Sequence, residues 1–246
     1  MIKATYIDHM GSDLSVVNAA RVSFGKQSTW EEPFEDCAIS LLRLSERDKK
    51  LIHYLAKHKH LSPFGHAFAS FHVKAPIFVA RQLVKHKFLR WNEISRRYVD
   101  DTPEFYVPEK WRKRAENVKQ GSSDEEMTHI TWVQDCGYEM AEIGGVATEV
   151  VKDHYRSSIN LYNAMLNCQC SPEQARMVLP QSTMTEWYWS GSLDAFAAMC
   201  KLRCASDTQY ESRVVADQIS DKMSELFPVS WGALMETQSE DGGQNQ

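Results

Sequence analysis

The sequence contains no apolar run near the roughly 20 residues that a membrane-spanning helix requires. Its first residues, Met1 to Asp8, lack the basic start and apolar stretch of a secretory signal. The expectation is a protein without membrane contact, working in a cytoplasm (a host cytoplasm if the source is viral). Cysteine is sparse, with six among 246 residues, at 37, 136, 168, 170, 200 and 204. A chain of this length buries enough apolar surface to fold without disulfides, so reduced thiols are expected. Cys168-x-Cys170 and Cys200-x3-Cys204 are not paired zinc spacings, and no metal is expected. Internal repeats and a convincing linker are also absent. Positive charge is not in excess: 28 Lys+Arg face 33 Asp+Glu, for a net charge of -5. That balance argues against a long nucleic acid as partner.

What is present is unevenly placed. Arg81, Lys85, Lys87, Arg90, Arg96 and Arg97 fall within seventeen residues, with Glu93 as the one acid. This window carries +5, so the remainder carries -10. So compact a positive field suits a small, highly charged anion.

Periodicity predicts a mixed α/β (α+β) fold with helices around a central sheet, as a single domain over 1–236. Residues 2–8 and 67–73 read as strands, as do 183–189 and, briefly, 104–107. Asp13 is expected to cap a helix through Ala20, and Ser45 with Asp48 a second that ends near His58. Pro76 opens a third helix carrying Ile77, Ala80, Leu83 and Val84 on its core face. Residues 88–97 are expected to be loop and turn. A helical stretch is predicted from about Thr128 to Leu166, interrupted at Gly144 and Gly145. Further helices are expected at 171–179, 192–203 and 208–226. Residues 109–128 are charged and poor in apolar side chains, and read as an exposed polar insertion. Residues 237–246 read as a disordered tail.

The basic window combines residue types that together recognise a nucleotide. Lys and Arg suit phosphates, Ser95 offers a hydroxyl, Asn92 and Glu93 offer directional hydrogen bonds, and Phe88, Trp91 and Tyr98 offer aromatic surface. A solvated basic helix end, or a basic surface for nucleic acid, accounts for the types equally well.

The arrangement is more specific than the types. Lys85-His86-Lys87 followed after seven residues by Ser95 resembles the Arg-His-Arg-x7-Ser signature of flavin-dependent thymidylate synthases. Asn92, Glu93, Arg97 and Tyr98 extend the likeness. So do the blocks 8–24, 60–66, 73–82 and 175–180, then Leu202, Arg203, Gln209 and Glu211. The resemblance covers most of the chain except 109–128 and the tail.

The resemblance implies reductive methylation of dUMP to dTMP. Methylenetetrahydrofolate would donate the carbon, and FAD reduced by NADPH would carry the hydride. It implies the family's α/β fold and a homotetramer with shared active sites, whose partners are small molecules only. Arg203 would be the catalytic residue, contacting the uracil and favouring ionised N3. Gln82, Lys85, Glu93, Ile94, Ser95, Arg96, Arg97 and Arg176 would join Arg203 around dUMP. Ser62, Lys85, His86, Lys87, Glu93, Ser192 and Asp194 would hold FAD, with His60 a further flavin or folate candidate.

Several positions depart from the family pattern. Lys85 and Lys87 stand where arginines flank the signature histidine, which keeps the charge but loses the planar fork. Gly65 replaces a usual Glu, Ser192 and Asp194 a usual Asn and Arg, and Ala198 another Asn. These departures keep two other readings open. One is a flavin- and folate-dependent enzyme that makes another 5-substituted pyrimidine nucleotide. The other is a non-catalytic protein that binds nucleotide or nucleic acid. A cysteine-dependent thymidylate synthase is disfavoured, because no cysteine lies near the basic window.

Overall fold

The structure is a computed structural model that describes residues 1–31, 43–99, 101–116, 121–135 and 140–236. The expected tail at 237–246, and residues 117–120 of the expected insertion, lie outside the described residues.

Four strands form the central antiparallel sheet: β1 (Lys3–Met10), β2 (Phe68–Pro76), β3 (Leu89–Glu93) and β8 (Met184–Ser192), in the order β1-β2-β8-β3. β2 and β8 alternate buried and open positions because only one face of the sheet is fully covered. On the covered face Phe71 opposes Trp189 and Val73 opposes Trp187, all four buried. Trp91 of β3 stacks on Trp187 with ring centroids 4.3 Å apart. Helix α6 (Leu193–Arg203) sets Phe196 edge-on to both Phe71 and Trp189. Helix α7 (Tyr210–Leu226) adds the buried Val215, Ala216, Ile219 and Met223. On the opposite face, His72 lies 3.1 Å and Lys74 3.7 Å from Glu186.

The remaining elements brace this core. Helix α1 (Asp13–Arg21) buries Val16 and Val17. α2 (Glu46–Lys57) starts as expected, with Ser45 Oγ accepting the Asp48 N–H at 3.1 Å. It packs through Ile52, Leu55 and Ala56 in the core that also holds Trp231 and Leu234 of α8 (Pro228–Glu236). α3 (Ile77–Leu83) follows β2 directly and delivers its last turn to the basic window. α4 (Ala147–Asn167) and the single turn α5 (Pro172–Ala175) complete the helices.

Several expectations need correction. Residues 89–93 are strand, because their pairing with β8 overrides a polar sequence. The stretch from 128 to 166 is helical only from Ala147. Its first part is a hairpin of β6 (His129–Asp135) and β7 (Met140–Val146). Gly144 pairs opposite Thr131, and a Cβ there would stand 2.9 Å from the Ile130 carbonyl oxygen, so the glycine serves close pairing. Residues 104–107 form one bridge, Phe105 to Thr183, and not a strand. Residues 109–128 are not merely an exposed loop: β4 (Arg112–Arg114) and β5 (Ser122–Glu126) pair as a hairpin. Val84 lies half exposed beyond the end of α3, not on its core face. Asp13 does not cap α1, which starts after Ser12. Its buried carboxylate instead accepts the N–H groups of Val229 and Ser230 at 3.0 and 2.8 Å, at the start of α8.

Candidate active site

The end of α3, the end of α6 and the start of α7 converge at one edge of the core. The β4–β5 hairpin and the segment around Tyr106 close the other side. Between them lies a cavity of about 890 Å³. Gln82, Lys85 and Arg203 line it, as do Tyr106, Trp111, Arg112, Gln209 and Glu211. A smaller cleft of about 480 Å³ adjoins it, lined by Lys85 and Glu93 with Arg81 and Val84. Lys85 borders both spaces.

Arg203 Nε donates to His86 Nε2 at 3.0 Å. Burial, then the guanidinium charge, hold the His86 pKa down at about 4. His86 is therefore neutral near pH 7, and since its Nε2 accepts, its proton sits on Nδ1. Arg203 pairs with no carboxylate among the described residues, so its remaining N–H groups keep an uncompensated charge beside the cavity.

Glu93 is anchored at both oxygens. It accepts from Thr185 Oγ1 at 2.7 Å and from Trp91 Nε1 at 3.0 Å. Strand β3 thus fixes a carboxylate on the smaller cleft. The chain then turns away from β8: Ile94 still donates its N–H to Glu186, and Ser95 Oγ accepts from Arg97 Nε at 3.1 Å. Arg96 is held by the Asp101 carboxylate at 3.0 Å, which leaves it less free for a ligand than Arg97. The Arg97 guanidinium lies 4.9 Å from the Tyr98 ring centroid.

Other expected contacts stand apart. Arg176 is exposed, and its Nε donates to the Glu173 carbonyl at 3.2 Å. Ser95, Arg97 and Arg176 line neither cavity. Ser62 starts a short 3-10 turn (Ser62–His66). Ser192 and Asp194 start α6, where one Asp194 carboxylate oxygen is buried without a hydrogen-bond partner. Lys87 is exposed, beside Phe88, whose φ of 67° is left-handed. Of the expected residues, Gln82, Lys85 and Arg203 thus line the larger cavity and Lys85 and Glu93 the smaller one; the others line neither.

Among the described residues, the two cysteines that flank Arg203 are placed poorly for attack on a pyrimidine. Cys200 is fully buried, donates to the Ala216 carbonyl at 3.6 Å, and has its pKa pushed up by burial. Neither Cys200 nor Cys204 lines the cavity. Trp187 and Trp189 are core, whereas Tyr188 is exposed.

Sequence reasoning missed Tyr106, Trp111, Arg112, Gly121, Ser122 and Tyr155 as lining residues. Trp111 and Arg112, an aromatic and a cation adjacent in a polar stretch, were the available signal. Nothing in their spacing pointed to Glu211, 99 positions away.

A family model described as thymidylate synthase complementing protein matches residues 5–229. A flavin-dependent thymidylate synthase from Thermus thermophilus is 36% identical over 230 residues, covering 94% of this chain and 74% of its own length. The chain belongs to the flavin-dependent thymidylate synthase family. A second member, from Kosmotoga olearia, is 34% identical over 229 residues, covering 93% of this chain and 88% of its own. Among solved structures, the UMP/dUMP methylase PolB from Streptomyces cacaoi, bound with 5-Br dUMP, superimposes with a TM-score of 0.73. It is 29% identical, with 96% of this chain and 95% of that chain covered. Membership accounts for the pairing of a basic window with a distant arginine that composition alone left open.

Proposed function

We propose that the protein converts dUMP to dTMP by reductive methylation, with methylenetetrahydrofolate and NADPH as co-substrates and FAD as cofactor. The observation that carries this reading is Arg203, hydrogen-bonded to His86, lining one cavity with Gln82. A guanidinium without a carboxylate partner favours a pyrimidine deprotonated at N3, and the added electron density activates C5. His86 orients that guanidinium without competing for its charge, because it stays neutral near pH 7. The Gln82 amide can complement the uracil edge. Arg97 and Arg176 suit the phosphate through bidentate contacts, with Ser95, Ile94 and Arg96 beside them.

The residues assigned to FAD match its chemistry. Lys85 and Lys87 pair with no carboxylate among the described residues, as a diphosphate group requires. The partnerless Asp194 oxygen suits a sugar hydroxyl and not a phosphate. Ser62, Ser192, His86 and Glu93 complete the set. When bound, FAD supplies the hydride; the chain supplies placement and charge.

Because Arg97 and Arg176 stand apart from Gln82 and Arg203 within one chain, the reading includes a homotetramer whose subunits complete each other's sites. It also includes a cytoplasmic setting with reduced thiols. Among the described residues no helix is long and apolar enough to cross a membrane.

The test is spectroscopic. With oxygen excluded, the purified protein should show oxidised flavin absorbance, bleach on NADPH, and recover it only when dUMP and methylenetetrahydrofolate are both supplied. A protein that neither carries nor binds FAD contradicts the proposal.

A further inference from the structure

The β4–β5 hairpin lies in the polar stretch 109–128, and it reaches into the cavity. Arg112 is the residue that does so. Its Nε donates to Ser122 Oγ across the hairpin at 2.9 Å, and its guanidinium lies 4.7 Å from the Tyr210 ring centroid. Its Nη2 donates to Glu211 Oε1 at 2.6 Å. The Glu211 side chain is 5% exposed. A carboxylate that deeply buried needs such a partner to offset its lost hydration.

From Glu211 the hydrogen bonds run in one direction. Gln209 Nε2 donates to Glu211 Oε2 at 3.2 Å. Gln209 Oε1 in turn accepts from Gln82 Nε2. Gln82 Oε1 then accepts from Ser212 Oγ at 2.9 Å. The order is forced, because an ionised carboxylate only accepts. Gln209 must turn its NH2 toward Glu211 and its carbonyl toward Gln82, so Gln82 must present NH2 on that side.

We infer that Arg112 is a positioning residue for the nucleotide: it holds the buried Glu211 carboxylate in place, and that carboxylate, which only accepts, fixes the amide orientations of Gln209 and Gln82. The inference rests on reading the cavity as the dUMP site. The groups that face Glu211 are Arg112 from β4, the Tyr106 hydroxyl at 3.4 Å, and Gln209 with Tyr210 at the start of α7. Lys85, Lys110, Arg203 and Asp207 line the same cavity. Tyr106 remains a neutral donor, since burial and Glu211 push its pKa up to about 12. Without Arg112 the Glu211 carboxylate loses the cation that holds it, and the orientation of both amides is then no longer imposed.

The test is dUMP affinity, measured by titration calorimetry on the full-length, FAD-loaded protein. Arg112→Gln should weaken dUMP binding about tenfold, as loss of a buried charged hydrogen bond implies. Arg112→Lys should stay within about threefold of wild type, because the charge persists. Glu211→Gln should also be weakened, and it carries the test if Arg112→Gln fails to fold. Lys113→Ala, which removes only the exposed pair with Glu125 on the same hairpin, should bind like wild type. Wild-type affinity in Arg112→Gln overturns the inference, as does wild-type affinity in Glu211→Gln. A wild-type protein that binds no dUMP overturns the reading of the cavity, and the inference with it.

Discussion

Arg203 donates to His86, and the bond leaves each side chain with a separate role. Arg203 keeps its charge for the substrate, and His86 keeps its neutrality. Arg203→Ala should therefore retain FAD, judged by flavin absorbance, and lose about 10²–10³-fold in turnover, the range for removing one preorganised electrostatic group. Near-normal turnover would refute its role. His86 adds a pH effect. Its pKa falls from 6.5 to about 4 on folding. Between those values the unfolded chain holds the extra proton, so stability is complete above about pH 6.5 and declines as pH drops toward 4. His86→Gln, which can still accept from Arg203, should flatten that part of the decline in thermal midpoint. Parallel curves for wild type and variant would contradict the assignment. At this scale the sequence was informative where family spacing reached, as at Gln82, Lys85 and Arg203. It was silent at Arg112, whose role depends on a contact with Glu211 that no local pattern encodes.

Elements set where these side chains arrive, and two are held by single residues. Asp13 satisfies two N–H groups at the start of α8, which its negative charge suits. Asp13→Ala should lower unfolding free energy by about 1–2 kcal/mol in denaturant titration, the usual cost of a lost cap. An unchanged midpoint would remove Asp13 from that role. Gly191 allows β3 to lie close to β8. A Cβ there would collide with the Leu89 side chain and stand 3.2 Å from the Phe88 carbonyl oxygen. Gly191→Ala should destabilise the protein by about 1–3 kcal/mol and disturb the segment leading to Glu93, which would appear as weaker FAD retention. Stability and FAD retention equal to wild type would show that the approach is not tight. The strands and helices legible in the sequence were β1, β2, β8, α1, α2, α3, α6 and α7, most of which bury one face. β3 escaped because it is an edge strand with exposed Arg90, Asn92 and Glu93. The β6–β7 hairpin was mistaken for helix because its glycines looked like an interruption, when their lack of a side chain permits the pairing. α8 went unrecognised, since its starting contact comes from Asp13, more than 200 positions earlier.

For the whole molecule, a net charge of -5 conceals a basic window set against an acidic remainder. Folding brings part of that window to Arg203 and, unforeseen from sequence, to Arg112 and Lys110. The result is a positive pocket sized for a nucleotide. Since Arg97 and Arg176 lie outside it, association should be required for activity. Turnover per chain should fall on dilution in step with dissociation of the proposed tetramer in sedimentation experiments; constant turnover by isolated monomers would exclude shared sites. The most direct measurement is mass spectrometry of the nucleotide formed from dUMP with methylenetetrahydrofolate, NADPH and FAD, with the donor's methylene carbon labelled. A nucleotide heavier than dUMP by one CH2 unit that carries the label, identical to dTMP, is the predicted result. A hydroxymethylated nucleotide, or unchanged dUMP with an FAD-loaded protein, would contradict it.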